Sequence, residues 1–384
     1  MKRLVLPGLF LAVLLPIAAP LARAQEAPSS PEVVKALQPF VDRHTLAGAV
    51  ALVADRDRVL SVDTVGYADI AAGKPMPADA LFWIASQSKP ITATAFMMLV
   101  DEGKVNLDDP VEKYLPEFKG QWLAAEHDAD HVLLKKPRHP ITVRNILSHT
   151  SGLPFKSNAE TPTLDLLPLR VGALTYAMTP LDFDPDTNYA YSNAGINTAG
   201  RIIEVVSGMP YETFLQTRLF DPLGMKDTTF WPTGAQLARL AKAYKPDSSK
   251  TGLKETTIGQ LKYPLDDHTR QPMPAGGLFS TAADLARFCR MILNGGELDG
   301  RRYLSESAVR EMTRRQTGPD IKASYGLGWS VNGEECGHGG AYATNMSIER
   351  HRGLITIWMV QHAGFPGDGG QAQGAFRRAV LEKR

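Results

Sequence analysis

The sequence predicts an α/β (α+β) fold in which strands from both chain ends join one antiparallel sheet, with flanking helices and an inserted, mainly helical lobe. Three observations carry this expectation. Runs rich in β-branched and aromatic residues lie near the two chain ends, at 49–65 and 325–361. The stretch between them is rich in Pro, Gly and short helical patterns. No internal repeat or low-complexity tract divides the 384 residues. Strands at both ends with helices between imply a single unit with a cleft where its two lobes meet. The sheet lobe is expected over about 31–85 and 275–384, and the helical lobe over about 86–274.

The first segment reads as an address rather than structure. Lys2 and Arg3 precede an uncharged stretch from Leu4 to Leu21 that ends in Ala22-Arg23-Ala24. That is the pattern of a secretory signal peptide cleaved after Ala24, leaving 25–384 as the working chain in a secreted or periplasmic location. Pro7, Pro16 and Pro20 argue against an uncleaved membrane anchor, and no other segment is long and apolar enough to span a bilayer. Removing Lys2, Arg3 and Arg23 moves the formal charge from +1 to −2. With 42 basic and 41 acidic side chains in all, a strongly basic nucleic-acid binder is excluded. Two cysteines cannot build a disulfide framework or a four-thiolate zinc site, and whether Cys289 and Cys336 pair is a matter of geometry. The sequence is silent on oligomeric state.

The remaining elements follow in order. Val33–Val41 has the periodicity of an amphipathic helix. Ala49–Ala54 and Val59–Val65, separated by Arg56-Asp57, predict a hairpin. Ala93–Val100 is apolar on every side and is followed by Gly103, which describes a buried helix with a glycine stop. Further helices are expected over Ile196–Val206, Tyr211–Leu219 and Thr281–Leu293. Strands are expected over Tyr325–Val331, Ala343–Glu349 and Leu354–Gln361, the last two turned by Arg350 to Gly353, with a closing helix over Gln373–Lys383.

Three short motifs carry chemistry. Ser86-Gln-Ser-Lys89 falls where the buried helix begins, so hydroxyl and amine three residues apart share a face. A neutral lysine beside a serine activates an otherwise poor nucleophile. Tyr191-Ser-Asn193 follows a loop and precedes a helix. Its phenol can pass a proton, and its carboxamide offers a donor and an acceptor to a substrate amide or ester. Gly337-His338-Gly339-Gly340 opens the late hairpin, where glycines let a substrate lie against the backbone and a nearby N–H can face an oxyanion.

Ser86-x-x-Lys89, Tyr191-x-Asn193 and His338-Gly-Gly340, in this order, resemble the serine β-lactamase and penicillin-binding family, and most of all its class C branch with the related esterases and D-peptidases. The likeness extends to Ile146-Leu-Ser-His149-Thr-Ser-Gly152, Phe220-Asp-Pro-Leu-Gly-Met225, Gly276-Gly-Leu-Phe-Ser-Thr281 and Tyr325-Gly-Leu-Gly-Trp329. It implies a β-lactamase/transpeptidase-like fold. It implies a Ser86 acyl-enzyme, with Lys89 and Tyr191 sharing the acid–base work, their order left open. It also implies an oxyanion site at the amides of Ser86 and Ala341, and no metal or organic cofactor. The substrate would be a small ester, amide or peptide.

One departure from the class C pattern matters. His338 stands where that branch carries a lysine, so a permanent cation becomes a group that is mostly neutral at pH 7. This weakens attraction for a substrate carboxylate and favours neutral esters or amides, with weak or no β-lactamase activity. A literal Lys250-Thr251-Gly252 lies in a polar stretch without strand character and is not expected to replace it. His127 and His131 have zinc-like spacing, but Lys135, Lys136 and Pro137 suggest a surface loop without a third ligand. His149 is expected to be structural. No Gly-x-Ser-x-Gly elbow is present, against an α/β-hydrolase. The rivals are a true class C β-lactamase or D-Ala-D-Ala carboxypeptidase and, from another class, a non-turnover sensor that keeps the fold.

Overall fold

A computed structural model describes residues 28–381. The segment read as a signal peptide and the end of the closing helix lie outside the described residues. Seven strands form the main sheet: β1 (Gly48–Ala54), β2 (Val59–Asp69), β3 (Lys74–Pro75), β4 (Ser330–Asn332), β5 (Glu335–Gly339), β6 (Asn345–Glu349) and β7 (Leu354–Met359). Their order is β4-β5-β6-β7-β1-β2-β3, and every neighbouring pair is antiparallel. The expected union of the two chain ends is the β1–β7 pairing, with Val50 opposite Met359 and Ala54 opposite Ile355.

All of β1 is buried because both faces of the sheet are covered. Side chains alternate across a strand, so Ala49, Ala51 and Val53 face one way. With Trp358 of β7 they meet α1 (Pro31–Asp42) and the closing helix α9 (Ala372–Leu381) through Val33, Leu37 and Phe376. Val50, Leu52 and Ala54 face the larger core, which includes Phe288 and Ile292 of α7 (Ala282–Leu293). There α2 (Ser88–Asp101) is buried on nearly all sides. It packs against α5 (Asn193–Ser207), and α3 (Val143–Ser148), α4 (Leu169–Met178), α6 (Tyr211–Leu215) and α8 (Glu306–Thr313) complete the helical part.

The structure differs from expectation in several places. Tyr325–Trp329 is not strand, because its amides go elsewhere. Leu327 N–H donates to Met312 and Gly328 N–H to Leu147, and Gly328 takes a φ of 73° against α2, where a Cβ would come 2.6 Å from the Ala93 methyl. Conversely, His338 does not precede a strand but lies within β5, opposite Met346; Gly337 and Gly339 hide that strand from a propensity reading. Ala343 has a φ of 65°, which delays β6 to Asn345. Two small hairpins, Leu123–His127 with Val132–Lys135 and Ala243–Pro246 with Leu253–Thr256, were not expected. Cys289 and Cys336 are free, buried thiols. Burial pushes both up, Cys336 to about 12, so neither is a thiolate.

Candidate active site

Ser86 sits in a 3-10 turn (Ala85–Gln87) that runs directly into α2. Ala85, the residue before it, has a φ of 47°. A left-handed alanine costs about 1–3 kcal/mol and persists only where its surroundings hold it. Four hydrogen bonds do so. Ile84 N–H donates to Leu278 O (3.0 Å) and the Trp83 indole to Gly276 O (2.7 Å). The Ser88 hydroxyl donates to Ala85 O (2.7 Å) and receives the Leu278 amide (3.2 Å). The turn thereby projects Ser86, which is partly exposed, from a rigid support.

Lys89 is completely buried. Its Nζ lies 3.0 Å from Ser86 Oγ, 2.8 Å from Asn193 Oδ1 and 2.7 Å from the Ala275 carbonyl oxygen. The last two are obligate acceptors. A neutral amine has two N–H groups and one lone pair, so its donors go to Asn193 and Ala275 and its lone pair faces the Ser86 hydroxyl. Burial holds the Lys89 amine well below its usual range, which favours that neutral form.

Tyr191 completes this triangle. Its ring centroid is 4.6 Å from Lys89 Nζ, and its phenol lies near the Ser86 side chain. Burial raises the phenol above its usual range, the Ser86 contact partly opposing this, so Tyr191 keeps its proton. The residues that follow are fixed by a helix start. Ser192 caps α5, its hydroxyl accepting from Gly195 N–H (3.0 Å) and donating to Pro154 O (2.7 Å). Asn193 is therefore the first residue of α5, and its amide donates to Phe155 O (2.9 Å).

His338 enters from the sheet. Its Nε2 lies 2.9 Å from the Tyr325 hydroxyl and its Nδ1 2.7 Å from the Gly339 carbonyl oxygen. A carbonyl only accepts, so Nδ1 carries the proton and Nε2 accepts from Tyr325. The expectation of a near-normal histidine needs correction: burial, then the nearby Lys89, push His338 down to about 3. It is a neutral hydrogen-bonding group across the whole working pH range. Gly340 shows why the segment needs glycine, since a Cβ there would lie 2.2 Å from Thr344 Oγ1 and 2.6 Å from the Ile84 carbonyl oxygen. That contact seats the end of β5 against the residues leading into Ser86. Among the described residues, neither the Ser86 nor the Ala341 amide donates to a backbone carbonyl.

Ser86, Lys89, Tyr191 and Asn193 thus form one contact cluster, with His338 6.1 Å from the Tyr191 ring. Two residues without a predicted part in the chemistry join it. Tyr325 bonds His338, and His149 lies 4.5 Å from the Tyr191 ring and 4.6 Å from that of Tyr325. His149 takes a φ of 62° at the end of α3, and its Nδ1 accepts the Ser192 amide (3.2 Å). Its ring thus packs against both tyrosines. The only signals for Tyr325 and His149 were their short motifs. Lys250 lies in the turn of the Ala243–Thr256 hairpin, which forms a separate two-stranded sheet. His127 and His131 flank a hairpin turn in which Asp128 Oδ1 accepts the His131 amide (2.8 Å).

A model of the β-lactamase family matches residues 33–379. The chain belongs to the β-lactamase family. Among its relatives, the Mycobacterium tuberculosis protein Rv1367c is 33% identical over 359 residues, covering 84% of this chain and 87% of that one. The lovastatin esterase of Penicillium rubens is 28% identical over 303 residues, covering 75% and 73%. The fold is shared with EstCE1, a hydrolase with promiscuous acyltransferase activity, at a TM-score of 0.75 and 24% identity over 91% of this chain and 97% of that one. This is a family of serine hydrolases with esterase and carboxypeptidase relatives. Among the described residues, no helix is long and apolar enough to cross a membrane.

Proposed function

We propose that this protein is an exported serine hydrolase that cleaves uncharged esters, and less readily amides, through a Ser86 acyl-enzyme. The observation that carries the reading is the Lys89 amine, buried with two fixed acceptors and its remaining direction on Ser86 Oγ. Lys89 takes the Ser86 proton as Oγ attacks the substrate carbonyl, because the lysine is biased toward the free base and Tyr191 toward the phenol. The developing oxyanion faces the amides of Ser86 and Ala341. Tyr191, within reach of both Lys89 and Ser86, passes the proton to the leaving oxygen or nitrogen as the carbonyl–heteroatom bond breaks. Water then attacks the acyl group, giving its proton back along the same path and releasing the acid with Ser86 restored. No step calls for a metal or an organic cofactor.

Substrate preference follows from charge. Neutral His338, with both nitrogens occupied, offers no cation to a substrate carboxylate. Asn193 and the exposed Phe155, stacked on Tyr191 at 6.4 Å, offer a polar contact and an apolar wall. The likeness to the lovastatin esterase points the same way. Export rests on the Lys2 to Ala24 pattern. A panel of short-chain nitrophenyl esters, D-Ala-terminated peptides and nitrocefin tests the assignment. The esters are expected to turn over at least tenfold faster by kcat/KM than the carboxylate-bearing substrates. Efficient nitrocefin turnover would make this a true β-lactamase instead, and no turnover of any member would leave a sensor.

A further inference from the structure

Helix α5 approaches the Lys89 amine with two asparagines one turn apart. Asn193 accepts from Nζ directly (2.8 Å). Asn197 works at one remove: its Oδ1 accepts the Ala275 amide (3.1 Å), and the Ala275 carbonyl accepts from Lys89 Nζ (2.7 Å). Behind Asn197 the bonds continue inward. Its carboxamide nitrogen donates to Tyr176 Oη (3.1 Å), and the Tyr176 hydroxyl donates to Glu160 Oε1 (2.6 Å). Glu160 Oε2 receives the Ser157 amide (2.8 Å).

Two features set this chain apart from ordinary core hydrogen bonding. Its direction is fixed throughout: the carboxylate accepts, so the hydroxyl donates and must accept from the carboxamide N–H, which turns the carboxamide oxygen toward Ala275. It is also expensive. Glu160 is 2% exposed, Tyr176 1% and Asn197 3%. Among the described residues no cation touches the carboxylate, and the Lys156 ammonium goes to the Glu160 backbone carbonyl (2.8 Å) instead. An unpaired buried carboxylate is a poor way to fill a core, and apolar residues of similar volume would serve folding as well or better. Gly200, one turn beyond Asn197, keeps the same register. A Cβ there would lie 2.3 Å from the Pro274 ring, so its absence lets the 274–275 segment lie flat on α5.

We propose that Glu160, through Tyr176 and Asn197, is a positioning residue that aims the Ala275 carbonyl, and with it Lys89 Nζ, at Ser86. This rests on the acyl-enzyme reading above. Tyr176→Phe keeps the ring and removes only the link. With a short-chain nitrophenyl ester, kcat is expected to fall about tenfold or more while KM stays within about twofold, since misplacing a reacting group costs rate rather than ground-state binding. The acid limb of the pH–rate profile is expected to move to lower pH, because a misaligned carbonyl no longer stabilises the ammonium form. The groups facing Lys89 are Ser86, Tyr191, His149 and His338, and those facing Glu160 are Tyr176 and Lys156. Glu160→Gln, which keeps one acceptor, is expected to act in the same direction by less.

A fall in melting temperature with kcat and profile unchanged in both variants would overturn the proposal and leave the chain a packing feature. Ser86→Ala, assayed alongside, separates the two claims. Turnover surviving there sinks the acyl-enzyme reading and this inference together. Turnover lost there, with Tyr176→Phe like wild type, sinks this inference alone.

Discussion

Replacing Lys89 by Met is expected to lower kcat/KM for a short-chain ester by roughly 1,000-fold or more, with the protein still folded. Met fills the same buried volume but has no lone pair to receive the Ser86 proton. The stability cost is that of two acceptors, Asn193 Oδ1 and Ala275 O, losing their donor, about 1–3 kcal/mol for each that stays unpaired. The rate loss is the diagnostic. A lysine that served only to hold those two acceptors would leave kcat/KM within about tenfold of wild type when replaced. In the intact protein, activity is lost as pH falls through the Lys89 pKa. Burial places that limb well below the usual lysine range. Steady-state kinetics across pH, with circular dichroism of the variant, provides the check.

The largest stability effect is expected away from the reacting atoms, at Asp165 and Arg270. Their side chains are 0% and 1% exposed, with Arg270 Nε 2.7 Å from Asp165 Oδ2. The guanidinium also donates to Phe230 O (2.8 Å) and Leu265 O (2.5 Å), and Asp165 Oδ1 accepts the Lys262 amide (3.0 Å). Arg270→Met strands a buried carboxylate and is expected to cost about 3–5 kcal/mol in urea denaturation. The double variant Asp165→Asn with Arg270→Met should recover part of that, because much of the penalty is the unpaired charge rather than the lost bond. A single-variant cost below about 1 kcal/mol would mean that water reaches the carboxylate. Arg270 lies five residues before Ala275, so its bonds also brace the segment whose carbonyl holds Lys89.

Patterns set by backbone period or local spacing were legible from the sequence. Val33–Val41, the Ala49–Val65 hairpin and Thr281–Leu293 each show a clear periodicity, and each has its helix or strands in the structure. Ser86 and Lys89 share a helix start, so their contact follows from spacing alone. Contacts that depend on tertiary packing were not legible. Tyr325 looks like a strand residue until Gly328 is seen wedged against α2, which turns the tyrosine onto His338 instead. Glu160, Tyr176 and Asn197 carry no motif at all: Tyr176 and Asn197 meet because α4 and α5 pack together, and Glu160 joins them from the loop before α4. The charge state of His338 was predicted in direction and underestimated in size, because its burial depends on strands that Gly337 and Gly339 conceal.

Intact-mass spectrometry of the full chain with a fluorophosphonate probe, followed by peptide mapping, tests the central claim most directly. The account predicts a single covalent adduct on wild type, mapped to Ser86 and absent from Ser86→Ala. An adduct that persists in Ser86→Ala, or maps to Ser88 or Ser148, would contradict it.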